Sequence, residues 1–404
     1  MAWDDPALGE IAWPSGVMTV KSSYGSGLAT RAGDPPGTVW AVGDRGPNLK
    51  ATTAVKQYGA TGLEPLRGLD GAKIMPRLDL GPEIAELRVS GDRVRLVRTI
   101  RLRGGSAPVP GVPIPGGDHS RCEPAFDKSG TQLSPDPSGV DSEGLAALDD
   151  GGFWVGDEYG PSLLKLDAAG QVLVRWVPQG CADQYRGADY PVAGVLPAIA
   201  AKRQLNRGFE ALALSPDQRR LTLAFQSPLA HPDEAAHEGA RHVRIWQLDA
   251  CSGEMVAQFL YPLDRPDSFR RDVAKGGFGA SDVKVGEIVA AGSETLLVLE
   301  RGSETSKIYR VDLAGAEPLS PEHLDIASRP TIEELSAAGD LGLPVLAKQL
   351  LFSSDDARQV APDLEGMALL SAQTVLLVSD NDFGVEGAST SFWRLDFEAP
   401  LHDD

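Results

Sequence analysis

Cysteine is scarce in this 404-residue sequence: Cys122, Cys181 and Cys251 are the whole supply, and no two form a CxxC pair. That excludes a dense disulfide scaffold and a thiolate metal site. Cys122 and Cys181 flank one hairpin-like stretch in Pro/Gly-rich segments, so one bridge between them and three free thiols both stand open. Long apolar runs are missing, which excludes a membrane-spanning helix, and the opening MAWDDPALGE is neither a basic leader nor an apolar signal core. A cytoplasmic chain and a mature exported one both fit that start. Basic residues are outnumbered, 38 Lys and Arg against 57 Asp and Glu, for a net charge of −19. Such a field repels nucleic acid and membrane surfaces, so neither is an expected partner. A cation suits it, although much of the excess acid serves solubility alone. There is no GxxxxGK[ST] phosphate loop, and Gly25-Ser26-Gly27 lacks the flanks of a nucleophile elbow, which disfavours a serine hydrolase.

Turn chemistry, by contrast, is plentiful, with Gly 45 and Pro 30 between many short apolar runs. This predicts an all-β chain. The stretch Asp141 to Pro161, DSEGLAALDDGGFWVGDEYGP, reads as two strands closed by Asp149-Asp150-Gly151-Gly152, which returns Glu143 to the neighbourhood of Asp157, Glu158 and Tyr159. Similar units begin at Gly25, Gly208, Val285 and Asp363, with Glu210, Glu287 and Glu365 in the place of Glu143 and Ser26 in the first copy. A third strand follows in each, ending at Asp167, Asp249, Asp312 or Asp396 in the later four, where the acids read as turn residues. Four antiparallel strands repeated about an axis predict a β-propeller of five or six four-stranded blades, decorated by loops and short helices, in one domain spanning 1–404. The gap after the first copy leaves room for a degenerate sixth blade. Gly104 to Gly117 is too rich in proline for a central strand and reads as a surface excursion. Thr331 to Gly339, with a Thr cap, early acids and a Gly stop, is the best helix.

Blade geometry sends the start of each inner strand and the end of each second strand to one funnel. This predicts metal ligands among Asp44, Glu143, Asp157, Glu210, Glu287, Glu365, Asp380 and Asn381, and substrate contacts from Arg45, Tyr159, Asn206, Arg207, Lys284 and Arg301. Glu143, Glu158 and Glu300 are the candidate catalytic carboxylates. Converging acids need a cation, and oxygen donors without thiols or imidazoles point to Ca²⁺. The histidines, His119, His231, His237, His242, His323 and His402, fall outside the repeat positions and read as loop residues. A glutamate opening an inner strand can instead latch the channel by accepting backbone N–H bonds from the next blade.

The runs DPSGVDSEGLAALDDGGFWVGDEYGP, LNRGFEALALSPD, FQSPL, VLERGSETSKIYRVDL and SDNDFGV resemble the phytase-like family with esterase-like activity of phytase, from about Gly16 to Phe397. The resemblance implies a propeller and the hydrolysis of phosphoric or other esters. Its motifs cover Asp157, Glu158, Tyr159, Asn206, Arg207, Glu210, Glu300, Arg301, Asp380, Asn381 and Asp382. It also implies a periplasmic or extracellular site of action. The expectation is therefore a monomeric, Ca²⁺-dependent hydrolase of small anionic phosphoric esters. A propeller lactonase or carboxylic esterase, and a non-catalytic propeller with a structural metal, are the alternatives.

Overall fold

The computed structural model describes residues 1–117 and 121–402, so His119 lies outside the described residues. Five antiparallel sheets follow one another along the chain. Blade 1 holds Gly27–Ala29, Thr38–Gly43, Glu83–Ser90 and Arg93–Arg101 in that order from the axis outward. Blade 2 runs Ser142–Ala147, Phe153–Asp157, Ser162–Leu166 and Val172–Pro178, with Val192–Leu196 added in parallel at the outer edge. Blade 3 is Phe209–Leu214, Arg220–Phe225, His242–Asp249 and Met255–Pro262; blade 4 is Lys284–Ala290, Thr295–Arg301, Ser306–Asp312 and Gln349–Ser353. Blade 5 has three strands, Leu364–Ser371, Thr374–Ser379 and Phe392–Asp396. Each inner strand packs on two others in the cyclic order of blades 1 to 5 and back to 1, which closes a five-bladed propeller.

The inner strands are almost wholly apolar beyond their first residues because both faces are covered by neighbouring blades. Between blades the core is aromatic as well as aliphatic: Phe209, Phe225 and Trp246 stack with ring centroids 4.9 to 6.1 Å apart. Asp167 and Asp249 act as the expected turn acids, whereas Asp312 and Asp396 accept from the hydroxyls of Thr295 and Thr374 on the neighbouring strand at 2.9 and 2.8 Å. Asp167 accepts from the backbone of Ala169 and Gln171 at 2.9 Å, and Asp249 from Cys251 and Ser252 at 3.0 and 2.8 Å.

The gap after blade 1 holds no sixth blade among the described residues. It forms a short hairpin, Arg103–Gly104 with Ala107–Pro108, and contributes Ala125–Phe126 to a small mixed sheet. The proline-rich run is also not a plain surface excursion: Val109 and Ile114 are buried, and Gly111 lies so close to the Arg45 backbone that a Cβ there would sit 1.6 Å from its carbonyl oxygen. Proline suits this cover because it needs no ladder partner. The helix Ile332–Ala338 begins at Thr331 with a reciprocal bond to Glu334 and ends on Gly339 at φ 74°. Its Glu333 is fully buried against Arg244, with contacts of 2.8 and 2.9 Å. All three cysteines are free thiols.

An acidic cup at one mouth of the propeller

Strand register determines which side chains meet at the axis. In blades 2, 3 and 5 the inner strand carries an irregularity at its start, and the glutamates fall in it: the pairing skips from Ser142 to Leu145, from Phe209 to Ala211 and from Leu364 to Gly366. Such a bulge re-aims one side chain without disturbing the strand behind it. Glu143, Glu210 and Glu365 are brought together, with carboxylate oxygens within 4.8 Å of one another. A second group shares Glu143, which stands equally close to Asp44 and Asp141. The second strands add one residue each: Asp44, Glu158, Gln226 and Asp380 from the position just past the ladder, and Arg301 from its last rung.

These acids are largely dry. Burial, followed by the charges of Glu210, Asp44, Asp141 and Glu158, pushes the Glu143 carboxyl well above the usual range. Asp141 is raised by burial against the pull of Arg45, and Glu365 by burial against that of Arg301. Burial and Glu210 bring Glu158 up to about 7. Asp380 rises to about 8 through burial and the neighbouring charge of Asp382. Two guanidinium groups offset part of the charge. Arg45 pairs with Glu123, with Asp141 at 3.0 Å and with Asp44 at 3.6 Å. Arg301 pairs with Glu365, with Asp363 at 3.0 Å and with Glu210 at 3.4 Å. Among the described residues the Arg45 ion pair is the one polar contact of the Asp141 carboxylate, neither of whose oxygens is in a hydrogen bond, and Glu158 Oε1 has no partner. Buried carboxylate oxygens in that state call for a cation or a proton.

Several expected site residues stand elsewhere, and alternation along the strands explains two. Asp157 and Glu300 precede the cup positions Glu158 and Arg301 by one residue and so face away. Asp157 pairs with fully buried Arg175 and accepts from Ser162 Oγ and the Asp141 backbone at 2.8 Å. Glu300 is enclosed by Lys348, Tyr261 and the Asp264 backbone at 2.6 to 2.8 Å. Asp157→Asn, which leaves Arg175 without its counter-charge, is expected to cost about 3–5 kcal/mol in urea unfolding.

Glu287 differs for another reason. In blade 4 the bulged residue is Gly286, because Val285 pairs with Glu300 and Glu287 with Leu299. Glu287 therefore occupies the place of Ala211 and Gly366, one residue past the cup. It is fully buried and accepts from the backbone of Ile288 at 3.0 Å, of Leu28 at 3.3 Å and of Leu212. That is a latch across blades 1, 3 and 4. Glu287→Gln is expected to lower stability by roughly 1–3 kcal/mol while calcium binding, followed by calorimetry, stays at the wild-type level.

Other expected contacts support the cup from behind. Tyr159 donates to Gly111 O at 2.6 Å and lies under Arg45, 5.0 Å from guanidinium carbon to ring centre. Asn206 Oδ1 accepts from Arg45 at 2.9 Å, in a left-handed backbone at φ 56°. Asn381 donates to Ser22 O at 2.9 Å, and Asp380 accepts from Ser23 Oγ. Arg207 and Lys284 keep free donors: Arg207 spends only Nη1, on Ser281 O at 3.1 Å, and the Lys284 ammonium has no hydrogen bond or ion pair to a described residue. Asp141, Glu123 and Asp363 are site residues that the repeat reading missed. Asp141 and Asp363 had a signal, since each stands two residues ahead of a cup glutamate on the same strand face. The histidines lie away from the cup where described: His231 and His237 bond the Ile326 and Pro228 carbonyls.

Fold and site together define a five-bladed propeller with a buried acidic cup at one mouth. Residues 25–383 match the family model described as Phytase-like, esterase-like activity of phytase, and the chain belongs to that family. An uncharacterized secreted protein of Arthroderma benhamiae is 25% identical over 322 residues, covering 73% of this chain and 59% of that protein. The chain thus spans less than two thirds of that relative's length. Among solved structures, the PQQ-bound aldose sugar dehydrogenase of Streptomyces coelicolor aligns at TM-score 0.36 and 11% identity, covering 97% of this chain and 98% of that one. The Cps50 (Swd1) β-propeller domain of Myceliophteria thermophila aligns at 0.30 and 10%, covering 93% and 96%.

Proposed function

We propose that the protein is a Ca²⁺-dependent hydrolase of phosphoric esters that works in the cup. The observation that carries this reading is the pair of buried carboxylate groups joined at Glu143, one of which includes Asp141 with no hydrogen bond to either oxygen. All donors are hard oxygens, which fit Ca²⁺ and exclude a thiolate metal. Asp44, Asp141 and Glu143 would hold the ion, with Glu210 and Glu365 beside them. When bound, Ca²⁺ supplies neutralising charge and polarises the ester oxygen.

The chain's own residues supply the rest. Arg45 and Arg301 are committed to carboxylates and fix their positions. Arg207 and Lys284 have donors to spare for the oxygens of an anionic ester. Glu158, held near 7 with one oxygen unpartnered, is poised to take a proton from water. The family description favours a second reading, attack on a carboxylic ester or lactone with the same residues in the same roles. The secreted relative supports action outside the cytoplasm, where calcium is plentiful.

The test is a panel of phosphomonoesters, phosphodiesters, carboxylic esters and lactones, assayed after EDTA dialysis and again with added Ca²⁺. Phosphoester hydrolysis lost in EDTA and restored by Ca²⁺ is the expected result. Hydrolysis indifferent to EDTA removes the metal, turnover of lactones or carboxylic esters alone moves the substrate, and no turnover leaves a binding propeller.

A further inference from the structure

We propose that Lys284 is the general acid of the cup and gives its Nζ proton to the ester oxygen that departs. This rests on the hydrolase reading above. The residue two places ahead of the bulge is Asp141 in blade 2, Gly208 in blade 3, Lys284 in blade 4 and Asp363 in blade 5. Each faces the residue just past the second strand: Glu158 N donates to Asp141 O, Gln226 N to Gly208 O and Asp380 N to Asp363 O, while Lys284 pairs in register with Arg301. Lys284 is therefore the one cation in this column, which holds Tyr24 in blade 1 and acids or glycine in the other three.

Glu158, Glu210 and Glu365 act on Lys284 from a distance, but among the described residues none pairs with it. Blade 4 carries Gly286 where blades 2, 3 and 5 carry a cup glutamate, so no carboxylate of its own strand stands beside the ammonium. Opposite it, Arg301 is already paired with Asp363, Glu210 and Glu365. Burial and the charges of Arg301 and Arg207 outweigh the pull of Glu210 and Glu365, and bring the Lys284 ammonium down to about 8. Such an ammonium gives up a proton near neutral pH, and the alkoxide of an ordinary alcohol is far more basic.

The step balances without a further reagent. Glu158 takes a proton from water as the water oxygen bonds to phosphorus. The bond from phosphorus to the alcohol oxygen breaks with its electron pair on oxygen, and that oxygen takes the Lys284 proton. Free alcohol and phosphate leave, and the Glu158 proton returns through solvent to the Lys284 amine.

The test compares glycerol 2-phosphate, whose leaving alkoxide needs a proton, with 4-nitrophenyl phosphate, whose leaving group does not. In the calcium-loaded protein, Lys284→Met is expected to lose roughly 100-fold or more in kcat on the first and no more than about 10-fold on the second. Lys284→Arg keeps the charge but not a transferable proton, and is expected to show the same split. Equal losses on both substrates, or full rescue by Arg, would assign Lys284 to binding and overturn the proposal. Melting temperatures of both variants within a few degrees of wild type separate this from misfolding; where Met unfolds the chain, the Arg variant decides. If the wild-type protein hydrolyses neither ester, the hydrolase reading falls first and the role of Lys284 with it.

Discussion

Glu143→Gln is expected to abolish both calcium binding and turnover while leaving the calcium-free protein at least as stable as wild type. Glu143 belongs to both carboxylate groups, so neutralising it weakens the two together. In the calcium-free protein burial and the charges of Glu210, Asp44, Asp141 and Glu158 favour its neutral form, which an amide reproduces, and among the described residues it accepts no hydrogen bond that the fold would lose. Turnover should fall by about 10²–10⁴-fold at saturating substrate. The wild-type protein should gain about 2.7 kcal/mol at a calcium concentration a hundred times its dissociation constant, and the variant close to none. Calcium titration by calorimetry, with thermal melts in EDTA and in Ca²⁺, reads both. A variant that melts much lower in EDTA would make Glu143 a latch like Glu287, and would remove the metal assignment.

The second large effect is on pH. In EDTA the protein is expected to lose stability as pH rises from about 5 to about 8. Glu158 and Asp380 titrate near 7 and 8 in the fold, whereas unfolded carboxyls titrate near 4. Between those values the folded state binds more protons than the unfolded one, so the free energy of unfolding falls with rising pH. The stabilisation is complete below about 4 and gone above about 8. One unit is worth about 1.36 kcal/mol, so a carboxyl carried from about 4 to about 7 accounts for a few kcal/mol. The acids repel one another, so their contributions do not simply add. Calcium replaces the protons as counter-charge and should flatten the slope, so that the melting-temperature gain from Ca²⁺ is larger at pH 8 than at pH 5. A protein that grows more stable between pH 5 and 8 in EDTA would contradict the dry, crowded cup.

The propeller was legible because its units repeat turn chemistry and apolar runs at matching intervals, and because Leu163 to Asp167, Val243 to Asp249 and Phe392 to Asp396 follow their hairpins in the same way. The cup was legible to within one residue. Glu143, Glu210 and Glu365 meet as expected, whereas Val285-Gly286-Glu287 looks like the same motif and is not, because the string does not say which residue a bulge takes up. Asp157 and Glu300 erred in the other direction. Both end a second strand beside a second polar residue, and only the ladder register shows which of the two turns inward. Asp141 could have been found from its two-residue spacing to Glu143, but Glu123 could not, since it reaches Arg45 from a loop 78 residues further along.

The Glu287 latch also separates two compartments along the inner strands. Its carboxylate joins blades 1, 3 and 4 below the cup, and beyond it a cavity of about 130 Å³ is lined by Leu28, Leu145, Leu212 and Ile288 at the opposite end of the inner strands. Glu287 is fully buried at this level of the inner strands, with the cup on one side of it and the cavity on the other. On the hydrolase reading proposed above, substrate and product anions would meet the same Arg207 and Lys284 donors at the mouth of the cup, so product release would compete with the next substrate.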